Sequence, residues 1–107
     1  MKKYQLRFWF EHCGPCLWGM NDKAKKKYGY AIRPCDLPLS KELINELGAL
    51  EQEYHTYLNW DCPSDPSPWT EAHKKDFLCR TTMAFHKLEA ELGAEYEVLN
   101  ETQSCVL

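Results

Sequence analysis

Two apolar stripes at helical spacing constrain this chain more than any other feature it carries. Leu43, Leu47, Leu50, Tyr54 and then Tyr57 or Leu58 recur every three or four residues, which predicts an amphipathic helix over 41–59. Phe77, Thr81, Ala84, Leu88 and Leu92 make a second stripe, on a helix that begins near 68–71 and is stopped by Gly93. Ser40 is placed to cap the first helix, with Leu39 and Ile44 spaced as a hydrophobic staple across the cap. Ser67 or Thr70 is placed to cap the second. Each helix has one apolar face, and that face must be buried against another layer.

The material for that layer lies near the two ends of the sequence. Tyr4, Leu6, Phe8 and Phe10 alternate with Gln5, Arg7 and Trp9, the period-two pattern of a half-buried strand. Gly14-Pro15 then forces a turn. Two readings fit 17–29. In the first, 17–20 closes a hairpin and Asn21 or Asp22 caps a short helix over 23–28 that ends at Gly29. In the second, a helix starts at the cysteines with Leu17, Met20, Ala24 and Tyr28 on one face; Gly19 costs it about 1 kcal/mol relative to alanine. We adopt the hairpin. A short strand over 30–32 precedes the breaks at Pro34 and Pro38, and Tyr96 and Val98 alternate with Glu95 and Glu97 in a last strand. The expected fold is α+β. It is a single domain over 1–107, a two-layer sandwich in which two long antiparallel helices pack on a small, mostly antiparallel sheet. That sheet combines the N-terminal hairpin with the C-terminal strand.

The chain has 107 residues, 44% of them hydrophobic, enough to bury one core and too few for two domains. No stretch approaches the roughly 18 consecutive apolar residues of a membrane helix. The segment after Met1-Lys2-Lys3 contains Gln5 and Arg7 and fails as a secretory leader. A cytoplasmic location is therefore expected, with the six scattered cysteines as free thiols. The net charge of −3 is unevenly spread: residues 1–34 hold eight Lys and Arg against two acids, and residues 35–107 hold five against fourteen. Such a chain either presents two charged regions to partners or neutralises them against each other in the fold.

The sharpest local motif is Cys13-Gly14-Pro15-Cys16, preceded by Arg7-Phe8-Trp9-Phe10. It resembles the active-site motif of thioredoxins, in which a Phe-Trp strand runs into Cys-Gly-Pro-Cys. The resemblance covers about ten residues. It implies Cys13 as the attacking thiolate, acidified by a helix N-terminus, and Cys16 as the resolving thiol. The position before the first cysteine, usually Trp in thioredoxins, is His12, and Pro34 stands between Arg33 and Cys35 where the cis-proline segment is expected. His12, Cys13 and Cys16, with Cys35 or Cys62, offer zinc ligands, but no second CxxC or HxxxH pair completes a site, so no metal or cofactor is expected. His55, His73 and His86 sit on helices without the HExxH spacing or a nucleophile elbow, so hydrolase chemistry has no support.

Lys23, Lys25, Lys26 and Lys27, followed by Tyr28 and Tyr30, form the one basic cluster. In an acidic chain this reads as a solvated face rather than a nucleic-acid site. The stretch 59–69 is the most unusual: three prolines stiffen it, and Trp60, Asp61, Asp65 and Trp69 frame it. Rigid aromatic anchors beside acids are what protein interfaces use. The alternative is a tight interhelical connection whose tryptophans cover the helix ends. Calcium is not expected there, because the EF-hand spacing and its glycine are missing.

The reading that follows is a non-enzymatic protein-binding domain, an inhibitor or immunity-type partner of a larger protein. Trp60, Asp61, Asp65 and Trp69 form its contact surface, with Glu89, Glu91, Glu95, Glu97 and Glu101 as a secondary patch. The alternative is a thiol-disulfide oxidoreductase using Cys13 and Cys16. Another protein is the expected partner, and neither a membrane nor nucleic acid is.

Overall fold

A computed structural model describes residues 3–11, 14–62, 64 and 66–106. The strand β1 (Tyr4–Phe8) is followed by β2 (Leu17–Gly19), α1 (Asp22–Tyr28), β3 (Ala31–Ile32), α2 (Lys41–Tyr54), α3 (Glu71–Leu92) and β4 (Tyr96–Asn100). The four strands form one sheet in the order β3-β2-β1-β4. Two of its three pairings, β1 with β2 and β2 with β3, are antiparallel. The third, β1 with β4, is parallel, pairing Tyr4 with Tyr96 and Phe8 with Asn100. A parallel pair cannot be joined by a tight turn and needs a long crossover. The α2–α3 pair supplies it, carrying the chain from one side of the sheet to the other.

The hairpin reading of 17–29 holds. Trp9 N–H donates to the Cys16 carbonyl at 3.0 Å to close the hairpin, and Asn21 caps α1 by accepting Ala24 N–H. Gly29 ends α1 at φ 90°, a positive φ that residues with a side chain rarely adopt. Gly19 is required by space rather than by φ. A Cβ there would lie 2.9 Å from the Gly29 carbonyl oxygen, so this turn of chain can pack on β2 only where there is no side chain.

Ser40 and Thr70 are the caps of α2 and α3, accepting the N–H groups of Leu43 and His73. The helices are antiparallel, as the polar contacts along their seam show. Ser40, at the start of α2, meets Glu91 near the end of α3, with its N–H 2.6 Å from the carboxylate. Lys87 reaches Glu46 at 3.0 Å. Arg80 meets Glu53, near the end of α2, through both of its terminal nitrogens, at 2.7 and 2.5 Å. That fork, with His73 at 2.9 Å, holds the Glu53 carboxyl below its usual range.

All five residues of the predicted α3 stripe, Phe77, Thr81, Ala84, Leu88 and Leu92, are buried. Leu43, Leu47, Leu50 and Tyr54 of the α2 stripe are buried as well. They pack on the face of the sheet that carries Leu6, Phe8, Leu17 and Ile32, each of which is fully buried. The centre is aromatic. Phe10 packs 5.2 Å from Phe77 and 5.7 Å from Tyr54, and Phe8 lies parallel to Phe85 at 6.4 Å. Tyr54 OH donates to the Cys105 carbonyl at 2.8 Å, tying the C-terminal segment over the core.

Two boundaries differ from the sequence reading. The helix predicted over 41–59 ends at Tyr54 and tightens into a 3-10 turn over His55–Tyr57. His55 N–H is shared between the Glu51 and Glu53 carbonyls there, the tightened geometry common at helix ends. The strand predicted over 30–32 is only Ala31–Ile32; the Tyr30 carbonyl still accepts Gly19 N–H at 2.8 Å, and its ring lies 5.2 Å from that of Trp18.

Candidate functional site

The Cys13-Gly14-Pro15-Cys16 motif lies in the hairpin connection between β1 and β2. Cys13 and His12 fall outside the described residues. Cys16 leads into a strand, so the helix N-terminus that acidifies a redox-active thiolate has no counterpart at this turn. The Cys16 thiol is fully buried, and burial, followed by the neighbouring Glu51 carboxylate, pushes it well up from its usual range. The oxidoreductase reading thereby loses its physical basis.

The remaining described cysteines divide by exposure. Cys105 is buried, and burial pushes its thiol up to about 11. Cys35, Cys62 and Cys79 are exposed. We expect iodoacetamide near pH 8, roughly the ordinary thiol range, to modify Cys35, Cys62 and Cys79 in the folded protein while Cys16 and Cys105 react only on unfolding. Counting adducts by mass spectrometry checks this, and rapid native labelling of Cys16 would show that the hairpin is open. Cys105 also has a signed effect on stability. Its raised folded value means that the stabilisation is complete below the unfolded value and is lost as pH rises towards about 11.

The interhelical stretch divides its two tryptophans between two roles. Trp69 is only 7% exposed. Its ring stacks on His73 at 3.9 Å and meets Phe77 at 4.9 Å, and its Nε1–H donates to Thr56 Oγ1 at 2.8 Å. It therefore covers the helix ends, and its contribution to a surface is to support it. Trp60 is 46% exposed. It is held in place from behind, its ring 4.5 Å from the His55 ring and its Nε1–H donating to the His55 carbonyl at 2.5 Å. Asp61 is exposed, its N–H bonded to Asn59 Oδ1 at 3.1 Å. Asp65 lies outside the described residues. The loop thus presents one rigid aromatic ring and an exposed carboxylate, the kind of surface that loses little side-chain freedom on binding.

The structure adds a feature that sequence reading missed. An open groove of about 490 Å³ runs beside His55. The hairpin turn at Gly14 and Pro15 forms one wall, Arg33 and Pro34 another, and Glu51 and His55 of the α2 end the third. Glu51 is fixed there, its Oε2 accepting Cys16 N–H at 2.9 Å. Because Trp60 stacks on His55, groove and loop share a residue. No sequence signal marked the groove, since its walls come from three separate segments, and the one motif among them, around Gly14 and Pro15, pointed to redox chemistry instead.

Four of the acids proposed as a secondary patch have local partners. Glu91 bonds Ser40. Glu97 accepts from Gln5 Nε2 at 2.7 Å, and Glu101 pairs with Arg7 at 2.9 Å. Glu89 lies 3.8 Å from His86. Apart from Arg7–Glu101 and the local Arg33–Asp36 pair, no ion pair among the described residues joins the basic first part of the chain to the acidic remainder. Lys23, Lys25, Lys26 and Lys27 of α1 stay exposed. Charge asymmetry is thus carried to the surface rather than neutralised inside. Among the described residues, no three His, Cys, Asp or Glu side chains converge as a metal site would require, and no helix is long and apolar enough to cross a membrane.

No curated protein matches the chain. A family model described as Serratia CdiI immunity protein-like matches residues 4–102, from the first residue of β1 to just past β4. That span contains the whole sheet, all three helices, the groove and the Trp60 loop, and this chain therefore belongs to the Serratia CdiI immunity protein-like family.

Proposed function

We propose that the chain acts as an immunity protein, binding a toxin protein and blocking its activity by occupying its surface. The match to an immunity protein-like family across residues 4–102 carries this reading. Two structural features support it. The Trp60 ring is exposed yet fixed on His55, and Asp61 projects beside it, giving an aromatic anchor and a charge on a stiff support. The contact surface is therefore Trp60 and Asp61, with Asp65 in the same loop and Trp69 as the buried strut beneath. The exposed thiols Cys35, Cys62 and Cys79 fit action in the reducing cytoplasm.

The test has two stages. The tagged chain is used as bait in extracts of its source, and captured proteins are identified by mass spectrometry. Each is then expressed alone and together with the chain. The expected result is a captured protein that arrests growth alone and fails to do so in the chain's presence. Captured proteins that never arrest growth, or an arrest that the chain does not relieve, would overturn the reading.

A further inference from the structure

The groove beside His55 has a fixed negative wall from two independent sources. The first is Glu51, which its hydrogen bond to Cys16 N–H holds at 2.9 Å. The Cys16 thiol bonds the same carboxylate, and with about four lone-pair sites a carboxylate still has capacity for a further donor. The second is the carbonyl end of α2. A helix end carries roughly half a negative elementary charge; no basic residue lies in the last turn of this 14-residue helix, and His55 follows as its C-cap, with its N–H on the Glu51 and Glu53 carbonyls. The positive wall is different in kind. The Arg33 side chain is 76% exposed and is already shared with Asp36 at 3.4 Å. Of the groove's carboxylate and guanidinium groups, Glu51 is the fixed one, and Arg33 is exposed and already partnered.

We propose that the groove is a binding site for a cationic side chain, an arginine of the partner toxin, with Glu51 as its anchor. This rests on the immunity reading above. Arginine suits the site better than lysine, because a planar guanidinium matches a carboxylate edge and stacks on aromatic rings. The His55 and Trp60 rings, stacked at 4.5 Å, continue the wall on that side. The groove and the Trp60 loop then form one continuous contact surface, with a concave charged half and a projecting aromatic half.

Glu51→Gln is the informative variant, since the amide oxygen still accepts Cys16 N–H while the charge is gone. In a titration of the ¹⁵N-labelled protein with N-acetylarginine amide, we expect saturable shifts at Gly14, Gln52 and His55. N-acetylglutamine amide should not produce them, Glu51→Gln should abolish them, and Arg33→Ala should leave them intact. Equal shifts from the neutral probe, undiminished shifts in Glu51→Gln, or shifts produced instead by inorganic phosphate and lost in Arg33→Ala would overturn the site. With the captured toxin, Glu51→Gln should bind about tenfold or more weakly at unchanged melting temperature. The two readings fail separately. If the toxin is captured and neutralised but Glu51→Gln binds it equally well, the groove assignment falls and the immunity reading stands. If no growth-arresting protein is captured while the arginine probe binds through Glu51, the immunity reading and its toxin arginine fall and only the cation site stands.

Discussion

Truncating Phe10 to alanine is expected to lower the unfolding free energy by about 3–5 kcal/mol. Phe10 is 1% exposed just past the end of β1, and its ring touches three elements of the aromatic centre: Phe8 on the sheet at 5.4 Å, Tyr54 on α2 at 5.7 Å and Phe77 on α3 at 5.2 Å. Its backbone is also tied to the C-terminal segment, with its N–H 3.2 Å from Cys105 Sγ and the thiol donating back to its carbonyl at 3.5 Å. A void at this position leaves three elements facing empty space, and none can close it without pulling away from another. Small domains hold together by only about 5–15 kcal/mol, so the variant should sit close to unfolding at room temperature. Urea titration measures this directly. The midpoint should fall steeply with little change in slope, and a loss below about 1 kcal/mol would mean that the cluster is not a shared keystone.

The second large effect concerns recognition. Trp60→Ala combined with Asp61→Ala should weaken toxin binding by at least about 2 kcal/mol, roughly thirtyfold, while the melting temperature stays within a few degrees of the parent. Both residues are exposed, and the Trp60 ring rests on the backbone and ring of His55. Trp69→Ala is the contrasting variant. Its 7% exposure and packing against Phe77 and His73 predict a stability loss in the range of other large-to-small core changes, about 3–5 kcal/mol. A double variant at Trp60 and Asp61 that still captures and neutralises the toxin as the parent does would move the contact surface elsewhere. One that unfolds would show that the loop is structural.

The division between Trp60 and Trp69 shows what kind of information the sequence holds. Both residues lie in the same proline-rich stretch, and composition alone assigned them to one surface. Trp69 stands directly before the Thr70 cap of α3, so the helix axis directs it inward over Phe77. Trp60 follows the 3-10 turn over His55–Tyr57 and emerges on the outside. The early end of α2 has a related cause. Tyr57 and Leu58 continue the apolar spacing beyond Tyr54, and without a glycine or proline the periodicity has no mark for the point where the helix tightens.

By itself the sequence located the two long helices, the Ser40 cap, the first and last strands and the buried face of each helix, because side-chain periodicity and capping chemistry act within a few residues; it left hairpin or helix open over 17–29 and Ser67 or Thr70 open as the cap of α3. The layered architecture follows from those faces, since each apolar stripe has to be covered. The tertiary structure decided the rest. It set the parallel pairing of β1 with β4 and turned a thioredoxin-like motif into a hairpin connection with a buried Cys16. It also brought Gly14, Arg33, Glu51 and His55 to one groove. Those outcomes depend on which distant segments meet, and the local periods that specify a strand or a helix carry no record of that.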